Sequence, residues 1–188
     1  HWEDLGIARL EHTRASKGII VLIDAQLPSK FRDSGSQRTL KLIENIQELG
    51  FHVVLGALDN STSRFDLLEL RKKGVEVHFN LEQLFSSLKL RGSRLRKFWL
   101  IRSNVIETVL PTIERDFPGV DIITDLLDLD YAIDKKNNLV RIDRNQISIV
   151  QKSKETVLVS PFEATLLRKE TPNARIVDLW TEFEERVP

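Results

Sequence analysis

Ile19-Ile20-Val21-Leu22-Ile23-Asp24, then a polar loop from Ala25 to Ser34, then Gly35-Ser36-Gln37-Arg38-Thr39-Leu40, is the stretch that decides the fold. Its apolar run is β-branched and too short for a helix, which suits a parallel strand covered on both faces. Leu40, Ile43, Ile46 and Leu49 recur at helical spacing, and Gly50 stops the helix. A strand, a glycine-bearing loop and a helix start place free backbone N–H groups at the carboxyl edge of a sheet. That edge is where open α/β folds bind ligands.

The same alternation runs outward along the chain. Strands are expected at Gly18 to Asp24, Phe51 to Leu58, Val75 to Phe79, Phe98 to Arg102, Val120 to Thr124, Thr156 to Ser160 and Ala174 to Leu179. Helices are expected at Ser36 to Leu49, Phe65 to Lys73, Leu81 to Leu90, Val105 to Arg115 and Phe162 to Glu170, with Pro111 kinking the fourth or opening a new first turn. Leu126 to Gln151 reads as mixed and partly helical. Strand–helix alternation with short turns implies right-handed βαβ units, hence an α/β fold with a doubly wound, mainly parallel sheet and helices on both faces. Trp2 to Arg14 reads as a weak amphipathic helix or linker, so the expected division is 1–17 leading in from an upstream region, 18–180 as one domain, and 181–188 as the start of a further connection.

The composition is that of an ordinary globular domain: 188 residues, 41% hydrophobic and 30% charged. Lys plus Arg (28) balances Asp plus Glu (28), so bulk charge gives no argument for nucleic acid. No apolar run approaches the roughly 20 residues of a membrane span. The charged start, His1 to Arg14, has no signal-peptide core, and cysteine is absent, which excludes disulfides and thiolate metal sites. These features fit a cytoplasmic protein. Methionine is absent even at position 1, which reads as a fragment of a longer polypeptide.

Three clusters carry candidate chemistry. In Phe31-Arg32-Asp33-Ser34-Gly35-Ser36-Gln37-Arg38, Gly35 lets a ligand approach the backbone, Ser34 or Ser36 can cap the helix, and Arg32 and Arg38 can pair with phosphate or carboxylate. A plain capped helix start with solvated arginines uses the same ingredients. Neither the Walker A loop nor the three-glycine dinucleotide fingerprint is present. Asp125-Leu126-Leu127-Asp128-Leu129-Asp130-Tyr131 follows the fifth strand. Its carboxylates can act as a base or bind hydroxyls, or simply be helix N-terminal acids. No metal site is expected, because no histidine lies near. Ser160-Pro161-Phe162-Glu163 has capping-box spacing. Of the scattered histidines, His52 reads as packed, and His78 sits near a strand end. Arg91, Arg94, Arg96 and Lys97 read as a solvated basic loop ahead of a strand.

In this order the pieces resemble the N-terminal lobe of GT-B glycosyltransferases (glycosyl transferases group 1, family four), and more narrowly the branch tied to bacterial surface-polysaccharide and O-antigen synthesis. The stretch Arg32-Asp33-Ser34-Gly35-Ser36-Gln37-Arg38 is similar to that branch's Arg-Asp-Ser-Gly-Ser-x-Arg loop. Glu48-Leu49-Gly50-Phe51-His52-Val53, Leu58-Asp59-Asn60, Leu100-Ile101-Arg102-Ser103, Thr124-Asp125-Leu126-Leu127-Asp128-Leu129 and Thr156-Val157-Leu158-Val159-Ser160-Pro161-Phe162-Glu163 follow in register. Asp130 stands where the branch often has histidine, Ser34 replaces the first glycine of the wider family's pair, and the second lobe with its Glu-x7-Glu motif is not in this sequence.

The resemblance implies a Rossmann-like, acceptor-side lobe of an enzyme moving a sugar from a nucleotide-sugar donor to a glycan or lipid-linked acceptor. It implies no metal or other cofactor. The partner is a C-terminal lobe in the same polypeptide, the isolated lobe is inactive, and the location is the cytoplasm or the inner-membrane surface. Asp125 and Asp128 take catalytic roles. Arg32, Asp33, Ser34, Gly35, Ser36, Arg38, Arg102, Ser160 and Glu163 take substrate-binding roles. The competing expectation is a non-catalytic Rossmann-like ligand-binding or interaction domain, since doubly wound sheets host many functions.

Overall fold

The computed structural model describes residues 16–30, 32–59, 64–134 and 139–178. The expected leading segment, apart from its last two residues, and the expected trailing connection lie outside these. Seven strands form one sheet in which every pairing is parallel: β1 (Ile19–Asp24), β2 (His52–Ala57), β3 (Glu76–His78), β4 (Leu95–Ile101), β5 (Asp121–Leu126), β8 (Glu155–Leu158) and β9 (Ile176–Asp178). Their spatial order is β3-β2-β1-β4-β5-β8-β9, so the chain winds one way from β1 and then the other from β4. That is the doubly wound, Rossmann-like arrangement, with its switch point between β1 and β4.

All six side chains of β1 are buried, as expected of a central parallel strand. Alternate residues feed two cores. Ile20 and Leu22 pack with Ile43 and Ile46 of α1 (Ser34–Glu48) and Leu70 of α2 (Arg64–Lys72). Ile19, Val21 and Ile23 belong with Leu84 and Leu88 of α3 (Leu81–Lys89), Val109 of α4 (Ser103–Asp116), Ile149 of α5 (Arg144–Lys152) and Leu167 of α6 (Pro161–Glu170). Gly56 lies mid-strand in β2 because Leu84 presses on it there: a Cβ would stand 2.7 Å from Leu84 Cδ2. Phe98 of β4 is fully buried and meets Phe117 edge-on at 5.3 Å between ring centroids.

Leu126 to Gln151 is mixed and partly helical, as expected: it holds an antiparallel hairpin, β6 (Tyr131–Asp134) with β7 (Leu139–Ile142), and then helix α5. Two expectations need correction. The strand β5 runs on through Asp125, so this residue is a buried strand residue and not a helix N-terminal acid. The basic run is not a free loop. A short 3-10 turn and β4 take up its residues, and its arginines are tied down: Arg94 Nη2 donates to the Ser16 carbonyl at 2.6 Å and Arg96 Nε to the Lys17 carbonyl at 3.4 Å.

Arg91 does the most. It chelates Glu76 of the edge strand β3 through Nη1 and Nη2, at 2.9 and 2.8 Å. The same carboxylate accepts from Nε2 of His52 at 3.3 Å and of His78 at 2.7 Å. His52 is packed, as expected, and His78 belongs to this cluster, which bolts β3 and the end of α3 to the sheet. Burial alone would raise the Glu76 pKa. The hydrogen bonds from His52, His78 and Arg91 and the Arg91 charge outweigh it and hold the carboxyl far below the usual range.

Two stability predictions follow from these contacts. Phe98→Ala should lower the unfolding free energy by about 3–5 kcal/mol in urea titration, through lost burial plus a cavity. A depressed folded-state pKa stabilises above the unfolded-state value and loses that contribution as the carboxyl protonates. Unfolding free energy should therefore fall as pH drops below about 5. Glu76→Gln should cost about 3 kcal/mol at neutral pH and flatten this acid limb.

Candidate functional site

The carboxyl ends of β1, β4 and β5 come together at the switch point, and α1 starts above them. The last residue of β1, Asp24, is buried, and its Oδ1 accepts from the Ala25 amide at 2.6 Å and from Arg102 Nε at 2.9 Å. Arg102 follows β4. Its backbone (φ 78°, ψ 140°) lies in a region that side chains other than glycine's avoid, and it is the one such non-glycine among the described residues. Its amide still donates to the Asp125 carbonyl at 2.9 Å, extending the β4–β5 pairing, while its side chain turns back across the strand ends to Asp24.

Helix α1 is capped by Asp33, not by the expected Ser34 or Ser36: Asp33 Oδ1 accepts from the Ser36 amide at 2.6 Å. That hydrogen bond holds the Asp33 carboxyl below its ordinary value. Gly35 stands against the Arg102 guanidinium, where a Cβ would lie 3.4 Å from Nη2 and 3.3 Å from Asp33 Oδ1. One turn on, Arg38 Nη2 reaches across to Asp125 Oδ2 at 2.6 Å, and Trp99 Nε1 of β4 donates to the same oxygen at 3.2 Å. Asp125 Oδ1 is buried with no partner.

Asp24 on β1 and Asp125 on β5 thus flank β4 at the carboxyl edge, each with one arginine. Burial pushes both carboxyls up despite these partners. At Asp125 it outweighs the attraction of Arg38, and at Asp24 it outweighs Arg102, with the Asp125 charge adding to the rise. The quartet Asp24, Arg102, Arg38 and Asp125 is close to electroneutral and short of hydrogen-bond donors at Asp125.

Beyond Arg102 an open depression of about 280 Å³ is lined by Arg102, Ser103, Asn104, Leu127, Asp128 and Asp130. Its far wall is braced by Gln146 of α5. This buried side chain donates to Ser103 Oγ (2.8 Å) and Asp130 Oδ2 (3.0 Å) and accepts from the Asp130 amide (2.8 Å). Ser160 caps α6 by accepting from the Glu163 amide at 3.3 Å, the expected half of a capping box. The Glu163 carboxyl instead faces the Leu129 amide, with Oε2 buried and unpartnered. Burial and the nearby Asp128 raise its pKa.

The structure therefore brings Gly35, Arg38, Arg102, Asp125 and Asp33 to one crevice, and Asp128, Ser160 and Glu163 to the strand ends beside it. Ser34 is exposed at the first position of α1, and Ser36 is buried under the cap. Arg32 points elsewhere: it donates to Gln26 Oε1 at 2.7 Å and the Leu27 carbonyl at 3.1 Å, closing its own loop. Asp24, Trp99 and Gln146 are the participants that sequence reasoning missed. A strand-terminal acid was the only signal available, for Asp24. Among the described residues no group of His, Asp and Glu could hold a metal ion, and no helix is long and apolar enough to cross a membrane. No protein-family model matches this chain, and no curated protein or solved structure does either.

Arg38→Gln should leave Asp125 buried beside a single indole N–H. We expect a loss of about 3 kcal/mol at pH 8. The raised Asp125 pKa fixes the sign: the penalty shrinks toward pH 5 as the carboxyl takes up a proton. Parallel urea titrations of both chains across this range measure it.

Proposed function

We propose that this chain is the acceptor-side half of a glycosyltransferase, moving a sugar from a nucleotide-sugar donor to a polysaccharide or glycan acceptor and needing a second lobe to complete the cleft. The observation that carries the reading is spatial. The segments that resemble the family, around Asp33 to Arg38, Arg102-Ser103, Asp125 to Asp128 and Ser160 to Glu163, are far apart in sequence, and each lies at the carboxyl edge of one sheet. A shared edge is what a common ligand requires.

In this reading Arg38, Arg102 and the first amides of α1 face the donor phosphates, where charge develops on the leaving nucleotide diphosphate. Donors preorganised against that charge lower the barrier. Asp125 and Asp128 face the hydroxyl-bearing partner. Asp33 already occupies the Ser36 amide, so the guanidinium groups and not the helix terminus supply most of the anion recognition.

One observation favours the second reading, a non-catalytic binding domain. Arg102 and Arg38 are each matched by a buried carboxylate, and an arginine so matched can be purely structural. Turnover of UDP-, GDP- and dTDP-sugars by the parent polypeptide, with Arg102→Ala beside it, separates the two. The enzyme reading expects transfer or hydrolysis that falls by about 100-fold or more in the variant. Absence of both turnover and sugar-nucleotide binding across the panel leaves the binding-domain reading.

A further inference from the structure

We infer that binding of a phosphate-type anion in the crevice draws Arg38 away from Asp125 and is coupled to uptake of one proton by Asp125. This rests on the anion-binding part of the reading above. It starts from what Asp125 has around it. The residue is buried, Oδ1 has no partner, and Oδ2 holds Arg38 at 2.6 Å and the Trp99 indole at 3.2 Å. Arg38 is the accessible member of the pair: its side chain is 26% exposed against 2% for Asp125. An anion entering between α1 and the strand ends competes for that guanidinium, since phosphate and carboxylate use the same bidentate geometry.

Loss of Arg38 leaves a desolvated carboxylate with one neutral donor. A buried charge in that position neutralises instead of persisting. The proton comes from solvent and goes to Asp125, so one carboxylate charge disappears as the anion enters and both arginines remain to face it. Asp24 does not share this fate. When Arg102 moves, Asp24 keeps the Ala25 amide at 2.6 Å on the same oxygen. The charged groups facing Asp125 are Arg38 from α1, Arg102 after β4 and Asp24 at the end of β1. The neighbour on β8, Val157, brings none.

Inorganic sulfate is the probe, because its charge does not change across the range used. Binding to the 188-residue chain is followed by the Trp99 indole N–H resonance, assigned with Trp99→Phe, from about pH 5.5 to about pH 8.5. The expected result is an affinity that weakens as pH rises, approaching about tenfold per pH unit, with net proton uptake in calorimetry across buffers of different ionisation enthalpy. Asp125→Asn should bind with little pH dependence. Sulfate binding that perturbs Trp99 with no pH slope or proton uptake, or with the same slope in Asp125→Asn, overturns the coupling and leaves the anion site intact. Failure of both sulfate and UDP-glucose to bind overturns the anion-site reading, and the coupling with it.

Discussion

Two arginines compensate two carboxylates that the sheet carries into its interior, and the geometry of the crevice depends on that exchange. Asp24 and Asp125 lie at the carboxyl ends of buried parallel strands, where a carboxylate costs several kcal/mol unless it is paired. Neither partner is a sequence neighbour. Arg102 reaches Asp24 from the end of β4, and Arg38 reaches Asp125 from α1. The pairs therefore lock the first helix and the first, fourth and fifth strands into one register at their carboxyl ends.

The strain at Arg102 belongs to the same constraint. Its amide must continue the β4–β5 ladder while its side chain turns back to β1, and no ordinary backbone conformation serves both ends. A glycine would relax the backbone but abandon Asp24. The cost of order 1–3 kcal/mol for such a conformation is thus set against a desolvated carboxylate. Gly35 is the complementary concession: a larger residue there would crowd the guanidinium that Asp24 holds.

The elements that were legible in the sequence were those written in local pattern. The Ile19–Ile23 run, the Leu40/Ile43/Ile46 spacing and the glycine stops gave strands and helices close to their observed bounds, and alternation gave the parallel sheet. Capping residues were ambiguous, because Asp33, Ser34 and Ser36 are all competent and only the loop's path selects Asp33. The β6–β7 hairpin was missed because Tyr131 to Ile142 is short and charged, without a strong alternating signal. The crevice was legible in its arginines and its aspartates but not in their pairing, which is long-range. Arg38 and Asp125 are 87 residues apart, and Arg102 and Asp24 are 78. The Glu76 cluster escaped for the same reason. A buried carboxylate with two imidazoles and an arginine is visible only once β2, β3 and the end of α3 are placed side by side.

The carboxyl edge is electrically uneven, and that unevenness gives it a direction. Asp24 of β1 and Asp125 of β5 each have a guanidinium. Beyond β5 and β8 lie Asp128, Asp130 and Glu163, with no arginine of their own: Asp130 accepts from the Gln146 amide and Glu163 faces the Leu129 amide. A ligand carrying an anionic group at one end and hydroxyls at the other meets unlike surfaces along this edge. Its anionic end is repelled from the Asp128 side and can find guanidinium only near α1. Its hydroxyls can donate to the carboxylates that line the open depression, Asp128 and Asp130. Like charges placed together cost more than opposite charges in solvent return, so the acidic side selects orientation mainly by exclusion, and the arginines supply the affinity.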